Sequence, residues 1–289
     1  MFVLLLAGCT ASEDAPAPPV DPKGEGVLSW GEYMEAPEGE SVLIETYVQA
    51  AEVWWNGTVS VYTQDRDGAY FLRDAACSMA EAEQLFPGTK LRVTGTKTTQ
   101  SGMPMVENAQ FELLLPPGAD AASQFEAAYG ESSAVQAKPP AGSAEAGSAA
   151  SAAPDPAYFY IAAPVDITEL AAPSLETAQS PLAGPSWETL SPYLGAYAAL
   201  RGVTVSSAVR YKEDGSGAEG NDLFFEGTIG EDGRAVSLRF QVCSYLTGAG
   251  TDVYRAAEDL QPGDIIDLKG FCFWDDGFVL RVTAIEASE

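Results

Sequence analysis

Residues 85–95, Leu-Phe-Pro-Gly-Thr-Lys-Leu-Arg-Val-Thr-Gly, return at residues 260–270 as Leu-Gln-Pro-Gly-Asp-Ile-Ile-Asp-Leu-Lys-Gly, at an offset of 175 held without a gap. Leu85, Pro87, Gly88, Leu91, Val93 and Gly95 meet Leu260, Pro262, Gly263, Ile266, Leu268 and Gly270. At the same offset Gly102 meets Gly277, Met105 meets Leu280 and Ala109 meets Ala284. Upstream, Cys77-Ser78 matches Cys243-Ser244 at an offset of 166, as a nine-residue insertion in the second copy would produce. A chain built this way folds as two copies of one domain, each of about 95–100 residues, well within the usual domain range.

The elements of a copy follow from local pattern. In the first, residues 41–49 are rich in β-branched and aromatic side chains, and residues 58–64 alternate. Asp67-Gly68 is a two-residue hairpin signal with residues 69–73 as the return strand. Ser78 and Glu81 form a capping box that opens a short helix, which Pro87-Gly88 stops. Residues 90–94 and 105–114 supply two more strands. The second copy repeats this with strands over 201–206, 223–229, 235–243, 265–270 and 278–285, and a helix that Thr251 caps and that runs to Leu260. The order β-β-β-α-β-β is that of the OB fold, a five-stranded, partly open barrel with a helix plugging one end. The predicted class is mainly β, two OB-like barrels.

The rest of the chain divides by composition. Residues 1–8 form a short apolar run ending at Leu6-Ala7-Gly8-Cys9, which resembles the bacterial lipobox. That resemblance implies a signal peptide cleaved before Cys9 and a lipid, palmitate included, on Cys9. Residues 9–26 are small, acidic and Pro-rich and read as a tether. Residues 27–115 hold the first barrel. Residues 116–157 are dominated by Ala, Gly, Ser and Pro and read as a disordered linker. Residues 158–185 connect to the second barrel at 186–289, with Tyr158–Ile161 offering a pairing edge. Two independently folding barrels are expected, and the protein is placed outside the cytoplasm, membrane-anchored by its lipid alone.

Charge and missing residue types narrow the chemistry. The chain carries a formal charge of -27, with 42 acidic against 15 basic residues. Both barrels are acidic on their own: residues 24–115 hold 14 acids and 5 bases, residues 186–286 hold 16 and 8. Nucleic-acid affinity rests on cations that neutralise phosphates, so this balance argues against that ligand. There is no histidine. Ser-His-Asp and Cys-His nucleophile pairs and His-ligated zinc are thereby excluded. No cofactor or metal is expected, and no paired carboxylate constellation suggests an enzyme. The loop over residues 213–222 is acidic and Gly-rich, but its spacing departs from the EF-hand pattern. Beyond Cys9, the cysteines are at 77, 243 and 272; Cys243 with Cys272 is the pairing available within one domain, and spacing leaves it open.

Taken together, Glu45–Ala50, Trp54-Trp55, Val61–Asp65, Asp67–Phe71, Pro87–Leu91 and Val93–Gly95, with Gly220–Phe225, Thr251–Tyr254 and Gly263–Gly270, resemble tandem OB-fold lipoproteins of gut Firmicutes. The resemblance spans both barrels. It implies a fold and a cell-envelope location, and brings no ligand. More distantly the arrangement looks like OB modules attached to extracellular nucleases, the one route to a nucleic-acid ligand.

OB barrels bind on the face of strands two and three, flanked by the first and last loops. In the first copy Val61, Thr63, Tyr70 and Leu72 share one side; Tyr62, Gln64, Phe71 and Arg73 share the other. With Trp54 and Trp55 in the first loop, Tyr62, Phe71 and Arg73 make a stacking platform, or the rings pack against the tether, the other barrel or residues 158–185. In the second copy Phe224, Glu226, Thr228, Ser237, Arg239 and Gln241 face outward. Phe273 and Trp274 fall in its last loop, where they contact a partner or close the barrel end. The function expected is a non-catalytic binding module, with a glycan or a basic envelope protein as ligand and the first barrel doing the recognising.

Overall fold

A computed structural model describes residues 23–129, 156–172, 185–230 and 235–288. Cys9, and residues 130–155 of the expected linker, lie outside the described residues.

The first barrel contains α1 (Trp30–Glu35), β1 (Ser41–Ala51), β2 (Thr58–Gln64), β3 (Ala69–Ala76), α2 (Met79–Ala82), β4 (Lys90–Gln100) and β5 (Met103–Leu114). Its strands close in the order β1-β2-β3-β5-β4. β3 and β5 run parallel, with Leu72 opposite Val106, and the other pairings are antiparallel. After α3 (Ala121–Tyr129) come β6 (Val165–Asp166), α4 (Thr168–Ala171) and α5 (Trp187–Leu190). The second barrel follows as β7 (Tyr197–Val205), β8 (Arg210–Tyr211), β9 (Leu223–Ile229), β10 (Val236–Val242), α6 (Asp252–Glu258), β11 (Ile265–Trp274) and β12 (Phe278–Ala287). Its strands run β7-β11-β12-β10-β9 and close where β7 pairs with β9. Both units are OB folds by strand order.

The repeat has a structural cause at its last glycine. In each barrel the fourth strand bulges where it crosses the fifth, between Thr94 and Thr96 and between Lys269 and Gly270. A Cβ on Gly95 would lie 2.4 Å from Val106 Cγ1 and 2.9 Å from the Glu107 carbonyl. A Cβ on Gly270 would lie 2.2 Å from the Arg281 carbonyl. Only a residue without a side chain lets the bent strand approach its neighbour this closely.

Three expectations need correction. The first concerns barrel plugs. α6 buries Val253, Tyr254 and Ala257 as an OB helix should, but α2 is a single exposed turn. Its capping box forms as read, and only the following Leu85 is buried. The first barrel instead takes Tyr33 from α1, a helix the sequence reading missed. Ser29 and Glu32 cap it reciprocally, and Tyr33 meets the Tyr70 ring edge-on at 5.0 Å. Trp30 lies over Gly68, where a Cβ would come within 2.3 Å of its ring. The Asp67-Gly68 hairpin is thus fixed by α1 as well as by Asp65, which accepts from both turn amides at 2.8 Å.

The second correction concerns the linker. Residues 116–129 do not run as plain coil. α3 is capped by Asp120 accepting from Ser123 N at 2.8 Å, it buries Ala121 and Gln124, and Phe125 meets Phe86 at 5.6 Å. Beyond the linker, the pairing expected of residues 158–161 does form. Tyr158 O accepts from Lys90 N at 3.2 Å and Tyr160 N donates to Gly88 O at 3.0 Å. β6 then pairs in parallel with β7, and Ile167 and Ala171 enter the second core. One segment is therefore stitched to both barrels.

The third correction concerns independence. Tyr62, Phe71, Met103 and Met105 of the first barrel form one buried apolar cluster with Leu194, Phe271, Phe273 and Val279 of the second. Each fully buried aromatic contributes about 1.5–3 kcal/mol, so the barrels form one body. This explains why β2 is buried at nearly every position, whereas β9 and β10 alternate. An outer face expected to meet water is covered by its neighbour. A chain cut at a protease site engineered between residues 130 and 155 should therefore elute from gel filtration as one nicked particle without denaturant. Elution as two separate barrels would contradict the shared core.

Candidate functional site

The expected platform on the first barrel is consumed by this docking. Tyr62 is 0% exposed. Its ring stacks on Phe271 at 4.4 Å, and Phe71 meets Phe273 edge-on at 5.0 Å. Phe273 and Trp274 lie in β11 rather than in a loop, because β11 continues past the bulge to Trp274. Phe273 is buried against the first barrel and Trp274 packs edge-on with Trp187 at 4.9 Å. Trp54 is half-buried, its indole donating to Cys77 O at 3.0 Å. Trp55 stands out in solvent, 70% exposed. Arg73 is partly exposed and bonds Gln100, with Asp74 and Glu107 each at 3.6 Å. The five first-barrel residues thus do not converge on one surface.

The docking has a polar centre that the sequence reading overlooked. Arg281 on β12 donates to the Tyr62 hydroxyl at 2.6 Å, stands 3.6 Å from Glu52, and lies 3.5 Å over the Phe273 ring. Tyr62 in turn donates to Glu52 at 2.9 Å. Desolvation pushes the Glu52 carboxyl above the ordinary carboxylate range, against the pull of Arg281 and of the Tyr62 hydroxyl. Burial, with Glu52 and Asp222 nearby, pushes the Cys243 thiol up to about 12; burial alone does the same to Cys272. Both are free thiols, so the pairing left open between them does not form. The one sequence signal for this centre was a lone cation, Arg281, amid the apolar run from Phe278 to Val282.

What remains open is the OB face of the second barrel. Phe224, Arg239 and Gln241 on β9 and β10 line a cleft of about 150 Å³. Trp274 and Asp275 close one side, and Gln100 and Ser101 from the β4–β5 turn of the first barrel close another. The cleft therefore exists only because the barrels are docked; Gly102 forms a backbone bridge with Asp275 at that rim. Two cations line it and both are answered: Arg239 donates to the Asp275 carbonyl and faces Glu213 at 3.7 Å, and Arg281 donates to the Tyr62 hydroxyl and faces Glu52. Gln241 donates to Asp222 at 2.7 Å, and Asp222 also holds Ser244. On the same face Arg210 pairs with Glu226 at 3.5 Å. The acidic loop ends in Asp222, which is committed to these bonds. Among the described residues no cluster of acids and cysteines is arranged to hold a metal, and no helix is long and apolar enough to cross a membrane.

No family model and no curated protein matches the chain. Solved structures of the single-stranded DNA binding protein from Thermus aquaticus align with it. A deletion mutant does so at 12% identity over 87% of this chain and 96% of that one, with a TM-score of 0.24. The wild-type protein gives 10% identity over 88% and 95%, with a TM-score of 0.22. The OB assignment stands on strand order within each barrel.

Proposed function

We propose that this is a non-catalytic, lipid-anchored binding protein of the cell envelope, whose two OB barrels act as one unit and present the cleft between them to a neutral, hydroxyl-rich ligand such as a glycan. The observation that carries the reading is the composition of the cleft. Phe224 and Trp274 offer ring faces, Gln100, Gln241 and Ser101 carry amide and hydroxyl groups, and each of its two cations faces an acid, Arg239 facing Glu213 and Arg281 facing Glu52. Stacking plus balanced hydrogen bonding suits a sugar ring, while a ligand of either charge meets a like charge within the cleft. A phosphate polymer needs free cations, and Arg210 and Arg239 are both answered by acids. Leu6-Ala7-Gly8-Cys9 and the polar stretch after it support the anchor and the location outside the cytoplasm.

The recognising barrel is thus the second, not the first. A panel of neutral oligosaccharides titrated calorimetrically should include a binder. The variant Phe224→Ala with Arg239→Ala should weaken it at least about tenfold, since one stacked ring is typically worth roughly 1–3 kcal/mol. Undiminished binding in that variant would remove the cleft from the reading. Binding of oligo-dT alone, falling steeply with salt, would replace the glycan by nucleic acid.

A further inference from the structure

Four of the eight most exposed large apolar side chains among the described residues come from two neighbouring loops and the start of α2 beside them. Val53 is 64% exposed, Trp55 70%, Met79 57% and Tyr245 51%. Backbone bonds hold the loops together: Val53 N donates to Tyr245 O at 2.8 Å, and Cys77 N to Gly57 O at 3.0 Å. Asn56 and Gly57 both take positive φ, at 50° and 88°, so the chain reverses tightly and Trp55 sits at a tip. Trp54 points the other way to bond Cys77 O. The patch is also a product of the repeat, because Met79 and Tyr245 are equivalent at the 166-residue offset.

We propose that this patch rests on a lipid bilayer of neutral headgroups, an inference that builds on the anchored reading above. Trp and Tyr beside apolar side chains favour the headgroup level of a membrane. Four side chains fall far short of the ~800 Å² per partner that a stable protein interface needs. A surface already held at the membrane by a covalent anchor needs little affinity of its own. The tether reaches. Lys23 is fixed to Asp65 at the far end of β2, and β2 from Thr58 to Gln64 separates that point from the Trp55 turn. That separation is about 20 Å at strand rise, and residues 10–22 span at most about 45 Å. The headgroup preference follows from charge. Glu52 is withdrawn to Arg281 and Asp74 faces Arg73, but residues 53–60, 75–83 and 243–250 contain Glu81 and Glu83 and no Lys or Arg, so anionic lipid would repel the patch.

The chain has no histidine, so a hexahistidine segment replacing residues 1–9 can tie it to phosphatidylcholine vesicles through nickel-chelating lipid, whether or not Cys9 is acylated in cells. With lipid brominated near the headgroup, tryptophan emission should be quenched relative to plain vesicles. The quenching should disappear in Trp55→Phe, shrink in Met79→Ser with Tyr245→Ser, and shrink again when phosphatidylglycerol replaces phosphatidylcholine. Equal emission on brominated and plain vesicles, or quenching unchanged in Trp55→Phe, overturns the proposal. Failure of the anchor would show separately, as equal detergent partitioning of the acylatable chain and its Cys9→Ala variant.

Discussion

Arg281→Ala should lower the unfolding free energy by about 3–5 kcal/mol, the cost of stranding one member of a buried ion pair. Glu52 is that member. Its carboxyl already sits above the ordinary range because the interface desolvates it, with Arg281 as the opposing charge. The substitution also removes the guanidinium from the Phe273 face and a donor from the Tyr62 hydroxyl. Urea midpoints at neutral pH measure the loss. The double variant Glu52→Gln with Arg281→Met removes both charges while keeping volume, and should recover most of it, since an apolar substitute for a buried pair is often neutral. An Arg281→Ala chain that unfolds at the parent's midpoint would show that the pair holds nothing. The pH dependence has a definite sign. A carboxyl whose folded pKa is raised takes up its proton more readily in the folded state. Its unfavourable contribution at neutral pH is therefore relieved as pH falls through the folded pKa. That relief should be larger in Arg281→Ala, where nothing offsets the desolvation.

Gly270→Ala should be at least as damaging, by about 3 kcal/mol or more, because overpacking against fixed backbone has no cheap relaxation. The added methyl would lie 2.2 Å from the Arg281 carbonyl and 3.0 Å from Val282 Cα, both main chain. Gly95→Ala should cost less: its closest obstacle is the Val106 side chain, at 2.4 Å, which can turn aside, although the Glu107 carbonyl at 2.9 Å remains. Thermal denaturation of the two variants gives the order directly. A Gly270→Ala chain as stable as the parent would mean that the bulge has room the structure does not show. The site also touches the interbarrel centre, since its clash would displace the backbone of Arg281 itself.

The sequence exposed those features that depend on neighbours in the chain. β2 begins and ends where alternation and the Asp67-Gly68 signal placed it, and Thr251 caps α6 as read. The inward set Val61, Tyr70 and Leu72 is core. Legibility failed where a residue's environment comes from far along the chain. Tyr62 and Phe71 were placed on the correct side of their strands, but alternation cannot say what covers that side. The cleft could not be read either, because it joins Gln100 and Ser101 to Phe224 and Trp274 across the barrel boundary. α1 was missed for a different reason. Its capping box is plain in Ser29 and Glu32, but a six-residue helix offers too few turns for a periodic stripe.

The docking of the two copies is head-to-tail. Strands two, three and five of the first barrel meet strands one, four and five of the second. Such contacts between like units leave one used face and one unused face at each step, and unless rotation closes a ring they continue into a fibre. Here both ends are blunted. The trailing face of the second barrel carries one ring, Phe224, among Glu226, Arg239 and Gln241 where the first carries Tyr62 and Phe71. The leading face of the first carries Thr96 and Thr98 at the positions where, 175 residues later, Phe271 and Phe273 grip. Divergence of the repeat has thus done more than blur its similarity: it has made a self-propagating joint usable between these two copies and not again at their outer faces.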